Sequence, residues 1–451
     1  MSVDTSSPRF GAEFTFKTWS FEKKTGRLIC SYHDSVYGSF DETFVFHGVA
    51  PERFVQYEKA ICEAIDCLFW MAGVSYYKTS LSQNIVFKQN KPSHEQAQWL
   101  TQTWQAGLAE LAFTQGLGWL SHIEITGIDK KSSAAKLKLQ PRSLVAIGGG
   151  KDSLVSIEAI KTIGESASLF MVGQSAFIKS VAVRTSLPLI AIERQLDPRL
   201  RTANQKGAFN GHIPITAINA CVGVVVALLY DFDSVVFSNE RSADVGNVQT
   251  EGGQWVNHQY SKSLRYEQCW QNLVHQYIAT DLYCFSLLRP FSELAIVKRF
   301  AELSQYFPHF SSCNRNFHLT GSENKDHHWC GKCPKCAFVF LCLAPFVSAD
   351  EIITIFQKDL FADSELTALF HSLLGIEGMK PFECVGEQQE CRLAVTLLSQ
   401  HKDWQNHPQV KAWQEILPKI SKAEQQILLT ASSRHQIPDK RQFLQVLTDE
   451  T

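Results

Sequence analysis

The sequence has no surplus of either charge: over 451 residues its formal net charge is −2 with histidines neutral. A polyanion such as tRNA would therefore feel no global attraction, and phosphate-backbone binding needs clustered Lys and Arg. There is no long apolar run. The longest, near Ala220 to Tyr230, falls well short of the ~20 residues a membrane helix requires and abuts Asp231 and Asp233. The segment Met1 to Arg9 is polar and lacks the apolar stretch of a secretory signal. Low-complexity segments and internal repeats are missing too, which argues against a solenoid or a disordered linker. These absences leave a cytoplasmic enzyme as the expectation, with a small-molecule substrate and neither nucleic acid nor membrane as partner. Hydrophobic content of 45% and charged content of 20% describe an ordinary globular protein, long enough for two or three domains. Cysteine is not scarce: the thirteen are odd in number, scattered and partly arranged as CxxCxxC. Without an export signal, that pattern points to thiols and a metal site, not to disulfides.

What is present is concentrated first in Ser143-Leu-Val-Ala-Ile-Gly-Gly-Gly-Lys-Asp-Ser153. Leu144 to Ile147 reads as a buried parallel strand. It empties into Gly148, Gly149 and Gly150, which tolerate the backbone angles a tight phosphate-wrapping loop needs. Lys151, Asp152 and Ser153 then open a helix, with Leu154, Ile157 and Ile160 at helical spacing. The loop thus meets the unpaired N–H groups and partial positive charge of a helix N-terminus. The pattern resembles the PP-loop signature SGGxDS of the ATP pyrophosphatase superfamily. A Walker A loop differs in glycine spacing and ends in Lys-Ser/Thr. In the superfamily the loop holds the β,γ-phosphates, and ATP is cut between α and β so that AMP passes to a substrate oxygen. Gly148 departs from the pattern, which usually has serine there, and one hydroxyl contact to phosphate is lost. A plain glycine-rich turn is the alternative; the agreement of strand, loop and helix favours nucleotide binding.

In chain order, Glu13 to Trp19 and Arg27 to Tyr32 alternate as strands about a turn at Lys24-Thr25-Gly26, and Glu42 to His47 reads as a third. From Pro51, Phe54, Tyr57, Ile61, Ile65 and Leu68 share one helical face, with Gly73 as a stop. Asn84 to Lys88 reads as a strand, Pro92 to Gln115 as a helix, and the lysine-bearing stretch Lys130 to Lys138 as a linker. Beyond it, strands at Ser168 to Val172, Pro188 to Ile192, Ser234 to Phe237 and Asp281 to Leu287 alternate with helices, notably Ile213 to Tyr230 and Leu264 to Ile278. From Asp350 helices dominate: Asp350 to Gln357, Asp363 to Leu374, Gln388 to Gln400 and Ala423 to Ser433. The expected fold is α/β: a doubly wound parallel sheet of PP-loop (adenine nucleotide alpha hydrolase-like) type over 140–347, an N-terminal α+β domain over 1–139 and a helical region over 348–451. Ligands should sit at the carboxyl ends of the strands.

Several constellations could carry chemistry. Cys330, Cys333 and Cys336 lie on a Gly/Pro turn and can converge on one ion, with Cys313 completing a four-thiolate set for zinc. An iron–sulfur cluster uses the same ligand type, and uncoordinated thiols are the plain reading. In Phe237-Ser-Asn-Glu-Arg-Ser-Ala-Asp-Val-Gly-Asn247, Glu240 and Asp244 could meet magnesium, Arg241 a phosphate or carboxylate, and Asn247 a substrate amide. A solvated loop has the same composition. His212, ahead of a long helix, could act as acid or base or serve structure alone. His258 or Lys262 in Asn257-His-Gln-Tyr-Ser-Lys-Ser263 could hold an anionic substrate. Trp70 to Lys78 could offer a sugar or base platform, with core packing the favoured reading.

Together these segments resemble the bacterial UDP-N-acetylmuramoyl-L-alanyl-L-glutamate epimerases of peptidoglycan synthesis. The resemblance rests on Ile147 to Ser153, Ser238-Asn-Glu-Arg-Ser242, Val256 to Lys262, Ser312-Cys-Asn-Arg-Asn316 and Trp329 to Cys336, with Ala72 to Lys78 and Gly375-Ile-Glu-Gly378. It implies inversion of the terminal L-glutamate of UDP-MurNAc-L-Ala-L-Glu, driven by ATP with Mg2+. A carboxylate resists loss of its α-proton because the carbanion would form beside existing negative charge; an acyl-adenylate removes that charge. On this reading Gly148 to Ser153, with Gly173, bind ATP. Lys151 balances the pyrophosphate, and Asp152 helps carry magnesium. His212, Glu240 and Arg241 are the catalytic candidates, and Asn247, His258 and Lys262 hold substrate. The competing readings are a tRNA- or nucleobase-modifying PP-loop enzyme with a cysteine-bound zinc, and a silent nucleotide-binding scaffold. Near-neutral charge speaks against the tRNA version, and the intact Lys151-Asp152-Ser153 against the scaffold.

Overall fold

Alternating burial builds the first three strands, β1 (Glu13–Glu22), β2 (Arg27–Asp34) and β3 (Gly38–Val45), into an antiparallel meander. Gly26 turns the first hairpin at φ +66, where a Cβ would lie 2.0 Å from the Phe46 carbonyl oxygen. A computed structural model describes residues 10–132, 134–249, 255–317, 328–439 and 443–448; the polar segment Met1 to Arg9 lies outside them. The remaining strands are β4 (Asn84–Phe87), β5 (Ser143–Ala146), β6 (Ala167–Val172), β7 (Leu189–Gln195) and β8 (Ser234–Phe237). Beyond them, β9 (Val248–Gln249) and β10 (Trp255–Val256) form a small ribbon, and β11 (Tyr283–Ser286) rejoins the main sheet.

One nine-stranded sheet runs β11-β8-β5-β6-β7-β3-β2-β1-β4. β11, β8, β5, β6 and β7 are parallel, and β3 joins β7 antiparallel through Thr43 to Val45. The N-terminal meander thus extends the same sheet that carries the glycine loop. Chain order reverses direction between β5 and β8, so the loops leaving their carboxyl ends flank the crevice where open α/β sheets bind ligands. Period-two alternation feeds two cores, one on each face. Leu144, Phe170 and Val235 enter one with the helix Ile215–Tyr230; Val145, Leu169 and Val236 enter the other with the helix Lys151–Thr162.

Some local expectations change. The helical pattern from Pro51 is broken at Tyr57 into Pro51–Gln56 and Glu58–Ala72. Gly73 does not stop it by a left-handed turn: its φ is −54, and a Cβ there would lie 2.5 Å from the Phe16 ring. Close approach, not flexibility, requires that glycine. Pro92 to Gln115 is likewise two helices, His94–Gly107 with a Ser93/Gln96 capping box and Ala109–Gln115 ending on left-handed Gly116. The described residues of the stretch 130–138 form no helix or strand of their own yet are anchored: Asp281 accepts from the backbone of Leu137, Lys138 and, just beyond, Leu139, and Lys130 pairs with Glu63. Trp70, Tyr76 and Tyr77 are wholly buried, so that segment is core.

The carboxyl-terminal region is helical, with Ala349–Phe356, Thr367–Leu374, Gln388–Leu398, Pro408–Ile416 and Lys422–Leu429. It packs on the second core and reaches the sheet edge, where Ser292 Oγ donates to the Leu428 carbonyl at 2.5 Å and Ser432 N–H to that of Pro290 at 2.9 Å. Among the described residues no helix is long and apolar enough to cross a membrane.

Candidate active site

β5 delivers the glycine loop directly to the helix Lys151–Thr162, whose N-cap Gly150 is extended and supplies no capping side chain. The helix N-terminus therefore keeps its N–H groups for an anion. Gly149 sits at φ +78 with the Phe177 ring 2.7 Å from where a Cβ would be, whereas Gly148 has open space around it. Ser153 does not face outward: its Oγ donates to the Gly150 carbonyl at 2.9 Å and closes the turn. Lys151 Nζ pairs with both Asp152 and Glu293, and the Lys151 and Glu293 side chains are only 3% and 2% exposed. Burial opposes charge on Lys151, yet the two carboxylates lift its pKa above the ordinary value. Burial raises Glu293, and Lys151 opposes that rise. Gly173 follows β6 at φ +103, across from the loop, with nothing near its α-carbon's vacant position.

The loop after β8 forms the other wall. Ser238 Oγ donates to Ser156 of the loop helix at 2.7 Å, and Asn239 to Ser286 of β11 at 2.9 Å. Glu240 is buried, and its carbonyl accepts from Arg289 Nη1 at 2.5 Å. Arg289 also donates to the Lys262 carbonyl and, at 3.3 Å, to Glu267, so one buried guanidinium ties together the segments bearing Glu240 and Lys262. Arg241 reaches the Ile427 carbonyl at 3.0 Å. Asp244 caps Leu264 N–H at 2.7 Å and stands 3.8 Å from Arg289. Asn247 is a clip: its amide donates to the Pro381 carbonyl at 3.0 Å, and its oxygen accepts from His258 N–H at 3.0 Å.

Beyond that wall lies a cluster of titratable side chains. His212 and His258 rings are 4.1 Å apart between centroids, and His258 Nδ1 pairs with Glu110. Lys262 Nζ donates to Cys384 Sγ at 3.2 Å. Burial and the neighbouring His258 hold His212 down at about 4. Burial also opposes protonation of His258, but Cys384 and Glu110 bring it up to about 9. Burial would raise the Cys384 thiol; Lys262 and His258 instead depress it to about 5. Lys262 is raised despite burial, with Cys384, Glu240 and Asp152 as the responsible charges. The ammonium of Lys262 therefore electrostatically links the glycine loop to the thiol and imidazole cluster.

The four expected cysteines meet. Sulfur separations are 3.8 Å for Cys313–Cys333, 3.7 Å for Cys330–Cys336 and 3.4 Å for Cys333–Cys336. Four sulfurs each about 2.3 Å from one tetrahedral ion stand about 3.8 Å apart, so the cluster could hold a single metal. A multi-iron cluster interposes several atoms between its cysteines and needs wider spacing. Gly331 makes the turn at φ +64, and Cys333 begins the helix Pro334–Leu343. The cluster also buttresses the glycine loop, because Ser311 N–H donates to the Gly149 carbonyl at 3.0 Å two residues before Cys313.

The expected residues thus converge on one edge of the sheet, with Arg241, Asp244 and Asn247 engaged in loop architecture. Glu293, Glu110 and Cys384 were not anticipated. Glu293 had a signal, since it follows Ser292, the N-cap of a helix just after β11. Glu110 on its helix and Cys384 in a loop had none.

Comparison with known proteins gives the same result along both halves. The family described as MurL N-terminal domain matches residues 5–287, and the MurL C-terminal domain matches 309–428. A protein of Xanthomonas oryzae pv. oryzae named UDP-N-acetyl-alpha-D-muramoyl-L-alanyl-L-glutamate epimerase is 42% identical over 383 residues, covering 84% of each chain. Proteins of the same name from Salinispora tropica and a Micromonospora species are 37% and 35% identical, covering 90% and 94% of this chain and 89% and 96% of their own.

Proposed function

Because the chain belongs to the MurL family of epimerases, we propose that it inverts the terminal L-glutamate of UDP-N-acetylmuramoyl-L-alanyl-L-glutamate to the D form through an ATP-derived carboxyl-adenylate, for peptidoglycan synthesis. The observation that carries the ATP-dependent part is Lys151: a buried ammonium at a helix N-terminus, behind a glycine loop, at the reversal point of the sheet. A side chain so buried is kept charged by Asp152 and Glu293, and on this reading it turns to the phosphates as Asp152 takes up magnesium.

On this reading the loop is of PP-loop type and grips the outer phosphates of ATP. The substrate carboxylate attacks the α-phosphorus, pyrophosphate leaves, and Lys151 with the helix N-terminus stabilises the departing charge. Asp152 is the residue that would hold magnesium, which when bound neutralises phosphate charge. With the carboxylate masked, the Cα proton becomes removable, and His212 is the first candidate for one proton-transfer partner and Glu240 the second, before water releases AMP. Zinc on Cys313, Cys330, Cys333 and Cys336 would be structural.

The test is solvent deuterium incorporation at Cα of the glutamyl residue, with pyrophosphate release measured alongside. Incorporation should require ATP and the UDP-muramoyl dipeptide together. Incorporation without ATP, or cleavage of ATP to ADP, rules the adenylate out. Pyrophosphate release with bulk tRNA in place of the dipeptide would favour the nucleic-acid-modifying alternative.

A further inference from the structure

The loop between the helices Thr367–Leu374 and Gln388–Leu398 places a thiol that the sequence does not flag within the pocket. Cys384 Sγ accepts from Lys262 Nζ at 3.2 Å, and His258 stands within hydrogen-bonding reach of the same sulfur. Lys262 is held by its own carbonyl, which Arg289 engages, and His258 by Glu110 and by the Asn247 oxygen on its N–H. Lys335, between Cys333 and Cys336 in the first turn of the helix Pro334–Leu343, adds positive potential, while Glu383, just before Cys384, opposes it. An ammonium in contact with a half-buried sulfur, with an imidazole beside it, is the kind of arrangement that activates a cysteine; structural buried cysteines lack it. The other buried thiols outside the metal cluster, such as Cys30, Cys67 and Cys221, are instead raised by burial.

We propose that Cys384 is a catalytic residue that, as a thiolate, takes up the Cα proton of the activated glutamyl residue, with the His258–His212 pair returning a proton to the other face. This rests on the adenylate reading above. The step balances: the Cα–H bond breaks, an S–H bond forms, and the electron pair moves into the activated carbonyl as an enolate. The His258 imidazolium then releases a proton, passed through His212, to Cα. The site is left with a thiol and neutral imidazoles, and transfer from Cys384 to His258 restores the starting charges. Lys262 keeps the sulfur anionic between turnovers, and it also feels the charge of Asp152 at the glycine loop.

The full-length protein with Cys384→Ala and Cys384→Ser separates the roles. Adenylation is read by dipeptide-dependent ATP–pyrophosphate isotope exchange, and proton transfer by deuterium wash-in at Cα. We expect exchange within a few-fold of wild type in both variants and wash-in lowered by about 100-fold or more in Cys384→Ala, the usual scale for a lost general base. Wild-type wash-in in Cys384→Ala overturns the proposal. Absence of isotope exchange in the unmodified protein would instead overturn the adenylate reading, so the two failures are distinguishable. If Cys384→Ala proves unfolded by circular dichroism, alkylation of wild type decides: iodoacetamide should label Cys384 at pH 6, and ATP with the dipeptide should protect it. No labelling there, or labelling that substrate leaves unchanged, counts against a thiolate at the reacting carbon.

Discussion

At Lys151 one ammonium answers two carboxylates with almost no water available to any substitute. Lys151→Met leaves Glu293 without its counter-ion in a sealed position, so that it must take up a proton or stay charged at high cost, and the broken buried pair costs about 3–5 kcal/mol. Urea unfolding should show that loss, and Lys151→Met/Glu293→Gln should recover most of it. Neither variant should release pyrophosphate. His258 offers a second residue-level test. Its folded pKa of about 9 lies above the unfolded value near 6.5, so its contribution is full below about 6.5 and fades as pH rises through about 9. His212, held at about 4, acts oppositely: it lowers stability as pH falls from about 6.5 toward 4. Glu110→Gln should therefore be less stable than wild type by about 1–2 kcal/mol at pH 6.5, and the difference should vanish by about pH 10. A gap that persists at the alkaline end would mean that Glu110 acts through packing alone.

The glycine loop and the cysteine turn are the elements on which the site depends, and the three loop glycines are unequal. Gly149→Ala puts a side chain at φ +78 and a methyl 2.7 Å from Phe177, so we expect a loss of about 1–3 kcal/mol and a higher KM for ATP. Gly148→Ser enters open space and should change stability by no more than about 0.5 kcal/mol. If the serine usual at that place contributes a phosphate contact, KM for ATP should fall. The cysteine turn touches the same loop through Ser311 and Gly149. Metal analysis of protein purified without chelator should give one zinc per chain. Removing it, or replacing Cys333 with Ser, should lower Tm and raise KM for ATP in parallel. A metal-free, fully folded preparation with unchanged KM would dismiss the buttress.

Across the whole molecule, β3 and β7 join the meander to the parallel strands, and one hydrophobic core contains residues from Phe14 to Cys284. Removing the meander bares the β7 edge and one face of that core. A fragment comprising residues 140–451 should therefore fail to fold independently, and the intact chain should lose the meander and the parallel sheet in a single thermal transition. Two separated transitions would show that the joined strands are energetically independent. The glycine loop, the cysteine spacing and most strands were legible in the sequence because each is a contiguous pattern with its own periodicity or turn chemistry. The shared sheet was not, since the β3–β7 pairing joins positions about 150 residues apart and leaves no local trace.

From its sequence alone this protein has a strand–glycine–helix junction, four cysteines able to meet, and an order of motifs that places it in its family. Those are properties of short segments, set by backbone freedom and side-chain type. Tertiary structure alone brings Glu293 behind Lys151, turns Asn247 and Asp244 into struts, and sets Cys384 between Lys262 and His258. Charge balance in a buried site depends on distance and exclusion of water, and neither is written in the spacing of residues along a chain.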